Sequence, residues 1–449
     1  MSGDLAAIAR ALSSTGARVH EAPAPRWSAD FGRVERAAPG LVVEARCEDD
    51  VAATLAQAHG RGIPVTLRGT GHSCNGSSLS RGGILLVNAE RSAPPPELLP
   101  DGRVRVAGRQ RWREVERALH RRGRQVPVLA DFLRLSVGGT LAVGGYGVDS
   151  VRQGALVDQV EALRLVLPDG RRVTCSPDAD PELFRFGLAG LGRVGAIESA
   201  LLRTEPLARI TVLFTYRHPG LEEMIDSLGW LAQPGGKQPA FFRALHARGR
   251  FVSTYGVAAA SLGDAARAVS PVPARRPAHR FVCPAYRTWR SRAVALWTAR
   301  FGGARRVWCD YVFDYQGLRG FARHLAARLA DDAFAGCLQS AYVLAVRRPA
   351  GRARFALEAG NTPGDGPRFG IGLYCMVPAG DDAALAQVRA AQEDCLRACQ
   401  ALGGRPYLYG AHRLGRERLD AVYGADYARV RELSRELDPR QTFQTGALD

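Results

Sequence analysis

His72 stands in the run Val65-Thr66-Leu67-Arg68-Gly69-Thr70-Gly71-His72-Ser73-Cys74-Asn75-Gly76, where an apolar, β-branched stretch breaks into glycines on both sides of an imidazole. A strand running into a tight turn leaves backbone N–H groups free to face an anion. Glycine there tolerates positive φ and lets a diphosphate approach the backbone. Two readings are open for His72: a loop histidine satisfied by a neighbour, or a neutral imidazole acting as a nucleophile toward a bound cofactor. Asp131 opens a second run, Asp131-Phe132-Leu133-Arg134-Leu135-Ser136-Val137-Gly138-Gly139-Thr140-Leu141. A carboxylate ahead of an apolar run either caps a turn or does proton chemistry. Gly144, Gly145 and Gly147 follow, so the segment reads either as a flexible surface loop or as a buried one. Val137, Leu141 and Val143 between the glycines argue for burial, and a buried backbone needs hydrogen-bond partners that a cofactor can supply.

The first run is similar to the R-G-x-G-H-S loop of flavin oxidases of the vanillyl-alcohol oxidase type, with a PCMH-type FAD-binding domain. The second resembles the D-Y-L-x-L-T-V-G-G-T-L segment of cytokinin dehydrogenases. The likeness covers most of residues 1–205 and returns weakly near Tyr407 and Asp438-Pro439. It implies FAD joined through its 8α carbon to His72, a bond that in this family also makes the flavin easier to reduce. Leu67, Gly69, Thr70, Gly71, Ser73 and Ser77 are then expected along the diphosphate and flavin. Ser136, Gly138, Gly139, Ala142, Tyr146 and Ile197 are expected at further cofactor contacts. Berberine-bridge-type relatives add a second bond from a cysteine; Phe132 stands about there, so one covalent bond is implied. The matching aspartate in cytokinin dehydrogenases accepts a proton from the substrate's amine, which assigns that role to Asp131. Hydride leaves a C–H bond beside nitrogen or oxygen only when developing positive charge is relieved. A base taking the N–H or O–H proton does this, and partial burial is expected to raise its pKa into a useful range. Tyr407 resembles a family tyrosine near the flavin, or is a core aromatic. The chain departs from the family in Ala142, which replaces a serine, and in Gln444 and Ala447, which stand where the family has a serine and a glutamine. The middle of the chain has no recognisable cytokinin-reading residues.

The elements that must hold these groups alternate. Strands are expected at 41–46, 63–68, 82–89 and 104–108, with helices at 47–62 and 112–122. Pro168-Asp169-Gly170 signals a hairpin between 158–167 and 171–176. A helix at 182–190 and a strand at 194–203 close this part. No G-x-G-x-x-G opens a helix, which disfavours a Rossmann domain. Beyond Pro206, strands at 210–216, 251–259, 340–346 and 369–377 alternate with helices at 221–232, 318–330 and 383–402. This predicts an antiparallel sheet covered by helices. The expected architecture is α+β in two domains. Residues 1–205 bind FAD, 206–404 form the substrate domain, and 405–449 return to the first domain and make it discontinuous. Trp289, Trp297, Trp308, Tyr311 and Phe313 are candidates for an aromatic pocket wall, or ordinary core.

The 449 residues exceed one compact core, and 46% hydrophobic with 23% charged residues is ordinary for a globular chain. The net charge of +17 invites a nucleic-acid reading. Against it, Lys237 is the only lysine and the arginines are spread along the chain rather than gathered in one arm. Nine cysteines form no C-x-x-C pair, so neither zinc nor a disulfide scaffold is suggested. No apolar run is long enough for a signal peptide or a membrane span, so a cytoplasmic location is expected. The reading is an FAD-dependent oxidoreductase acting on a C–N or C–O bond of a small organic molecule, of the kind that tailors bacterial secondary metabolites. Oxygen or another acceptor reoxidises the flavin. The expected assembly is a monomer or homodimer, with no specific nucleic acid and no membrane. The alternatives are an alcohol, sugar or lactone oxidase of the same superfamily, or a flavin fold doing non-redox cyclisation.

Overall fold

The computed structural model describes residues 3–88, 93–233, 239, 241–247, 249–330, 332–347, 355, 357–360 and 366–444. Leu41–Glu44, Ile84–Val87 and Val65–Arg68 are short parallel strands whose side chains are nearly all buried. Such strands need cover on both faces, and this is why they read as apolar runs. Arg18–His20 pairs antiparallel at one edge of this five-stranded sheet. At the other edge Phe443–Gln444 pairs parallel with Val65–Thr66. The helix Glu48–Arg61 packs beneath, with three acidic residues in its first turn and Gly62 closing it at φ 66°. A second five-stranded sheet is antiparallel throughout, in the order Glu97–Leu98, Val104–Ala107, Ala196–Leu202, Val160–Val166, Arg172–Cys175.

The third sheet has eight antiparallel strands, ordered His279–Pro284, Ile210–His218, Arg250–Ala259, Phe241–Ala247, Leu338–Val346, Arg368–Val377, Arg305–Phe313, Arg405–Pro406. Helices Tyr315–Arg328 and Asp382–Ala401 cover one face with their apolar stripes. Arg405–Pro406 still belongs to this sheet; the chain rejoins the first sheet only at Phe443–Gln444. One continuous apolar cluster joins the second and third sheets, from Val104 to Leu433, and a separate one fills the first sheet. The two-domain α+β architecture is present. The helix expected over 221–232 instead breaks at Ser227 into Leu221–Asp226 and a 3-10 turn, Gly229–Ala232. All nine cysteines are free thiols. Among the described residues no helix is long and apolar enough to cross a membrane.

Candidate functional site

A cavity of about 540 Å³ lies where the first two sheets meet the open face of the third. The first sequence run supplies Leu67, Gly69, Thr70, Gly71, His72, Ser73 and Ser77 to its wall. The second supplies Asp131, Ser136, Gly138, Gly139, Ala142 and Tyr146, and Ile197, Tyr407 and Gln444 complete the residues singled out by sequence. Ala447 lies outside the described residues.

Asp30 shapes the first loop. Its carboxylate accepts the Ser73 hydroxyl at 3.0 Å, the Gly76 N–H at 2.9 Å and the Arg33 N–H at 3.1 Å. Gly71 sits at φ 70°, where a side chain is strained. The two sequence runs meet at Gly69, where an added Cβ would fall 2.2 Å from Ser136 Oγ. The glycine-rich run is not a loop at its start: Val137–Leu141 is a turn of helix. Its Val137 and Gly138 N–H groups donate to the carbonyls of Gln110 and Gly108, so its backbone finds partners in the protein as well. Elsewhere in the wall, Asn88 Oδ1 and Trp308 Nε1 are buried without a hydrogen-bond partner among the described residues. Orphaned polar atoms over a wall of bare glycine backbone fit a large polar ligand such as a flavin dinucleotide.

His72 lies between two rings. Phe31 stacks on it at 3.9 Å between centroids and Phe132 at 4.7 Å, while Trp308 meets it edge-on at 6.2 Å. The Arg306 guanidinium covers the far face of Phe31 at 4.3 Å. Burial, then the positive charge of Arg306, lowers the His72 pKa to about 3. The imidazole is therefore neutral through the physiological range.

Asp131 departs from expectation. Arg290 grips it with two nitrogens, Nε to Oδ1 at 2.6 Å and Nη2 to Oδ2, and the Tyr342 hydroxyl donates to Oδ2 at 2.6 Å. Burial alone would push its pKa up, but the charge and hydrogen bonds of Arg290, with Tyr342, outweigh that and hold the carboxyl below its ordinary value. The raised pKa expected of Asp131 is thus corrected. The sequence reading missed the helix that carries Arg290, Tyr286–Ala299, whose arginine-rich surface blurs its apolar spacing.

Of the two described carboxyls that line the cavity, Asp310 has the raised value. Asp310 lies in Arg305–Phe313, a strand missed by the sequence reading. Strand alternation sends Trp308, Asp310 and Val312 into the cavity wall and turns Cys309, Tyr311 and Phe313 into the core. Of the aromatic candidates, Trp289, Trp297 and Trp308 therefore line the cavity, whereas Tyr311 and Phe313 do not. The Asp310 carboxylate accepts the Tyr409 hydroxyl at 2.7 Å and the Tyr374 hydroxyl at 3.2 Å. Burial raises its pKa to about 6 against those two hydrogen bonds. A lone aspartate amid Trp, Val, Tyr and Phe was the available signal. Tyr407 lines the cavity, but its hydroxyl accepts the Gly145 N–H at 2.9 Å and so ties the glycine-rich run to the far end of the chain. Two residues on, Tyr409 is the tyrosine of this segment whose hydroxyl meets a cavity carboxylate.

Residues 39–176 match the FAD binding domain family. Cytokinin dehydrogenase 1 of Oryza sativa subsp. japonica is 36% identical over 211 residues, 45% of this chain and 38% of that protein. An uncharacterized oxidoreductase, ORF5 of the fasciation locus of Rhodococcoides fascians, is 35% identical over 175 residues, 39% of this chain and 40% of that one. The chain thus spans well under half the length of these curated relatives. Xylooligosaccharide oxidase from Myceliophthora thermophila C1 superposes with a TM-score of 0.77 at 16% identity, covering 98% of this chain and 99% of that one. 6-Hydroxy-D-nicotine oxidase from Arthrobacter nicotinovorans gives 0.71 at 19% identity, covering 96% and 97%. Residues 39–176 thus form an FAD binding domain, and the chain shares the fold of these two solved oxidases over nearly its whole length.

Proposed function

We propose that the protein is an FAD-dependent oxidoreductase that oxidises a C–N or C–O bond of a small organic substrate, with the flavin joined covalently to His72. The observation that carries this is the placement of the Asp310 carboxylate, held by the Tyr374 and Tyr409 hydroxyls, in the same cavity wall as the glycine-lined loop of His72. FAD bound there supplies a two-electron acceptor for hydride. The chain supplies the rest. His72, kept neutral by burial and by Arg306, would hold the flavin through a ring nitrogen at the 8α carbon in place of one hydrogen. That hydrogen's proton is lost, and its electron pair passes to the acceptor that reoxidises the flavin. Asp310, ionised above about pH 6, takes the N–H or O–H proton that must leave with the hydride. Tyr374 and Tyr409 donate to that carboxylate and orient it. On this reading Asp131 has the structural part: it neutralises Arg290 and fixes Tyr342 at the cavity wall.

The test is anaerobic mixing with a panel of amines and alcohols, followed at the flavin absorption band. Bleaching by a member of the panel is the expected result. Product formed with the yellow band unchanged would instead establish the non-redox alternative, and a colourless purified protein would overturn the flavin reading.

A further inference from the structure

Among the described residues two arginines line the cavity, Arg243 and Arg290. Arg290 is committed: Asp131 takes two of its nitrogens, and Tyr342 accepts from one of them at 2.5 Å. Arg243 has neither a hydrogen bond nor an ion pair with the described residues. It stands on Phe241–Ala247, where alternation buries Phe242 and Ala244 and turns Arg243 and Leu245 to the cavity. Burial, then the neighbouring charge of Arg290, pulls the Arg243 pKa down, and the charge of Asp131, already bound to Arg290, offsets this only in part. Locally the tally is two positive groups to one negative, Arg243 and Arg290 against Asp131.

The surroundings say what would answer that charge. Trp289, Ala293, Val294 and Trp297 of the helix Tyr286–Ala299 give the cavity an apolar, aromatic side. The row Leu245–Tyr342–Gly372–Asp310 crosses the sheet by direct pairing. Three strand spacings, about 14 Å, therefore separate the backbones at its ends, and both terminal side chains reach inward. Gly370, on the neighbouring row, leaves the floor between them without a side chain. A molecule oxidised beside Asp310 thus extends past the Tyr342 hydroxyl and the bare floor at Gly370 toward Arg243, two residues along the strand from Leu245. We propose that Arg243 binds an anionic group of the substrate, which is then an aromatic or apolar amine or alcohol bearing a carboxylate. This deepens the oxidoreductase reading and rests on it. The planar fork of a guanidinium matches a carboxylate through two parallel hydrogen bonds.

The experiment is isothermal titration of the flavin-loaded protein with benzoate, phenylacetate and indole-3-acetate, each against its neutral amide. At least one acid should bind roughly 10-fold or more tightly than its amide, the effect of one charge-assisted contact. Arg243→Gln should bring acid and amide within about 2-fold, and Arg243→Lys, which keeps the charge but not the fork, should fall between. Equal binding of acid and amide in all three pairs by the wild type would overturn the proposal without any variant having to fold. So would an Arg243→Gln protein that keeps the preference, or one that loses flavin instead, which would put the guanidinium on the cofactor. The readout is heat, so a yellow protein indifferent to carboxylates sinks this inference alone, whereas a colourless one sinks the oxidoreductase reading.

Discussion

The Tyr409 hydroxyl donates to the Asp310 carboxylate at 2.7 Å across 99 residues of sequence, and both groups belong to the wall of one cavity. A buried carboxylate that accepts tyrosine hydroxyls is oriented without being neutralised by a fixed cation. It keeps a pKa, about 6, from which it can both take and release a proton.

Asp310→Asn should therefore keep its flavin and lose turnover by roughly 10²- to 10⁴-fold, the range a positioned base supplies. In the wild type kcat/KM should rise with pH through about 6, because the carboxylate must be ionised to accept the proton. The same profile measured on the variant should be flat there. A variant within a factor of a few of wild type would remove Asp310 from the chemistry.

Asp131→Asn should act on stability. It strands the buried Arg290 without its counter-ion, which costs about 3–5 kcal/mol when one partner of a buried pair is removed. Thermal unfolding of the loaded protein measures it. The sign with pH follows from the direction of the shift. The folded-state pKa lies below the unfolded one, so the contribution is present above the ordinary carboxylate range and is lost as pH falls through the folded value. A variant with unchanged melting but turnover reduced at least 100-fold would return Asp131 to the role of base.

His72→Ala tests the covalent bond by colour and mass. Acid precipitation of wild type should leave a yellow pellet and that of the variant a white one. Intact mass should show an FAD increment on wild type alone.

Gly69→Ala brings a methyl group into Ser136 Oγ, 2.2 Å from where the Cβ must lie. The two cofactor runs should be forced apart, with loss of flavin loading. Adding Ser136→Ala removes the clashing oxygen and leaves the nearest Ser136 atom at 3.3 Å, so the double variant should recover much of the loading. Such coupling is what contacting residues show and distant ones do not.

The first part of the chain was legible because its signals are local. Glycines around His72, an aspartate ahead of Val137-Gly138-Gly139, and Pro168-Asp169-Gly170 each act within a few residues of themselves. The α+β character was legible for the same reason, since it rests on strand and helix periodicity. Asp310, Arg243 and Arg290 were not, because their meeting depends on the register of an eight-stranded antiparallel sheet and on a helix laid against it. Period-two alternation in Trp308-Cys309-Asp310-Tyr311 marks the face but not what it looks onto. Nor could sequence give the sign of the Asp131 shift, which depends on a guanidinium 159 residues away.

Phe443–Gln444 lies beside Val65–Arg68, the strand that feeds the histidine loop, and both of its residues reach the cavity. On the ribosome that strand keeps one raw edge until residue 443 has been polymerised, after everything else in the pocket already exists. At about 5–20 residues per second the delay is tens of seconds. Coenzyme capture is thereby timed to the addition of residues 443 and 444, and nascent chains shorter than that should be uncoloured.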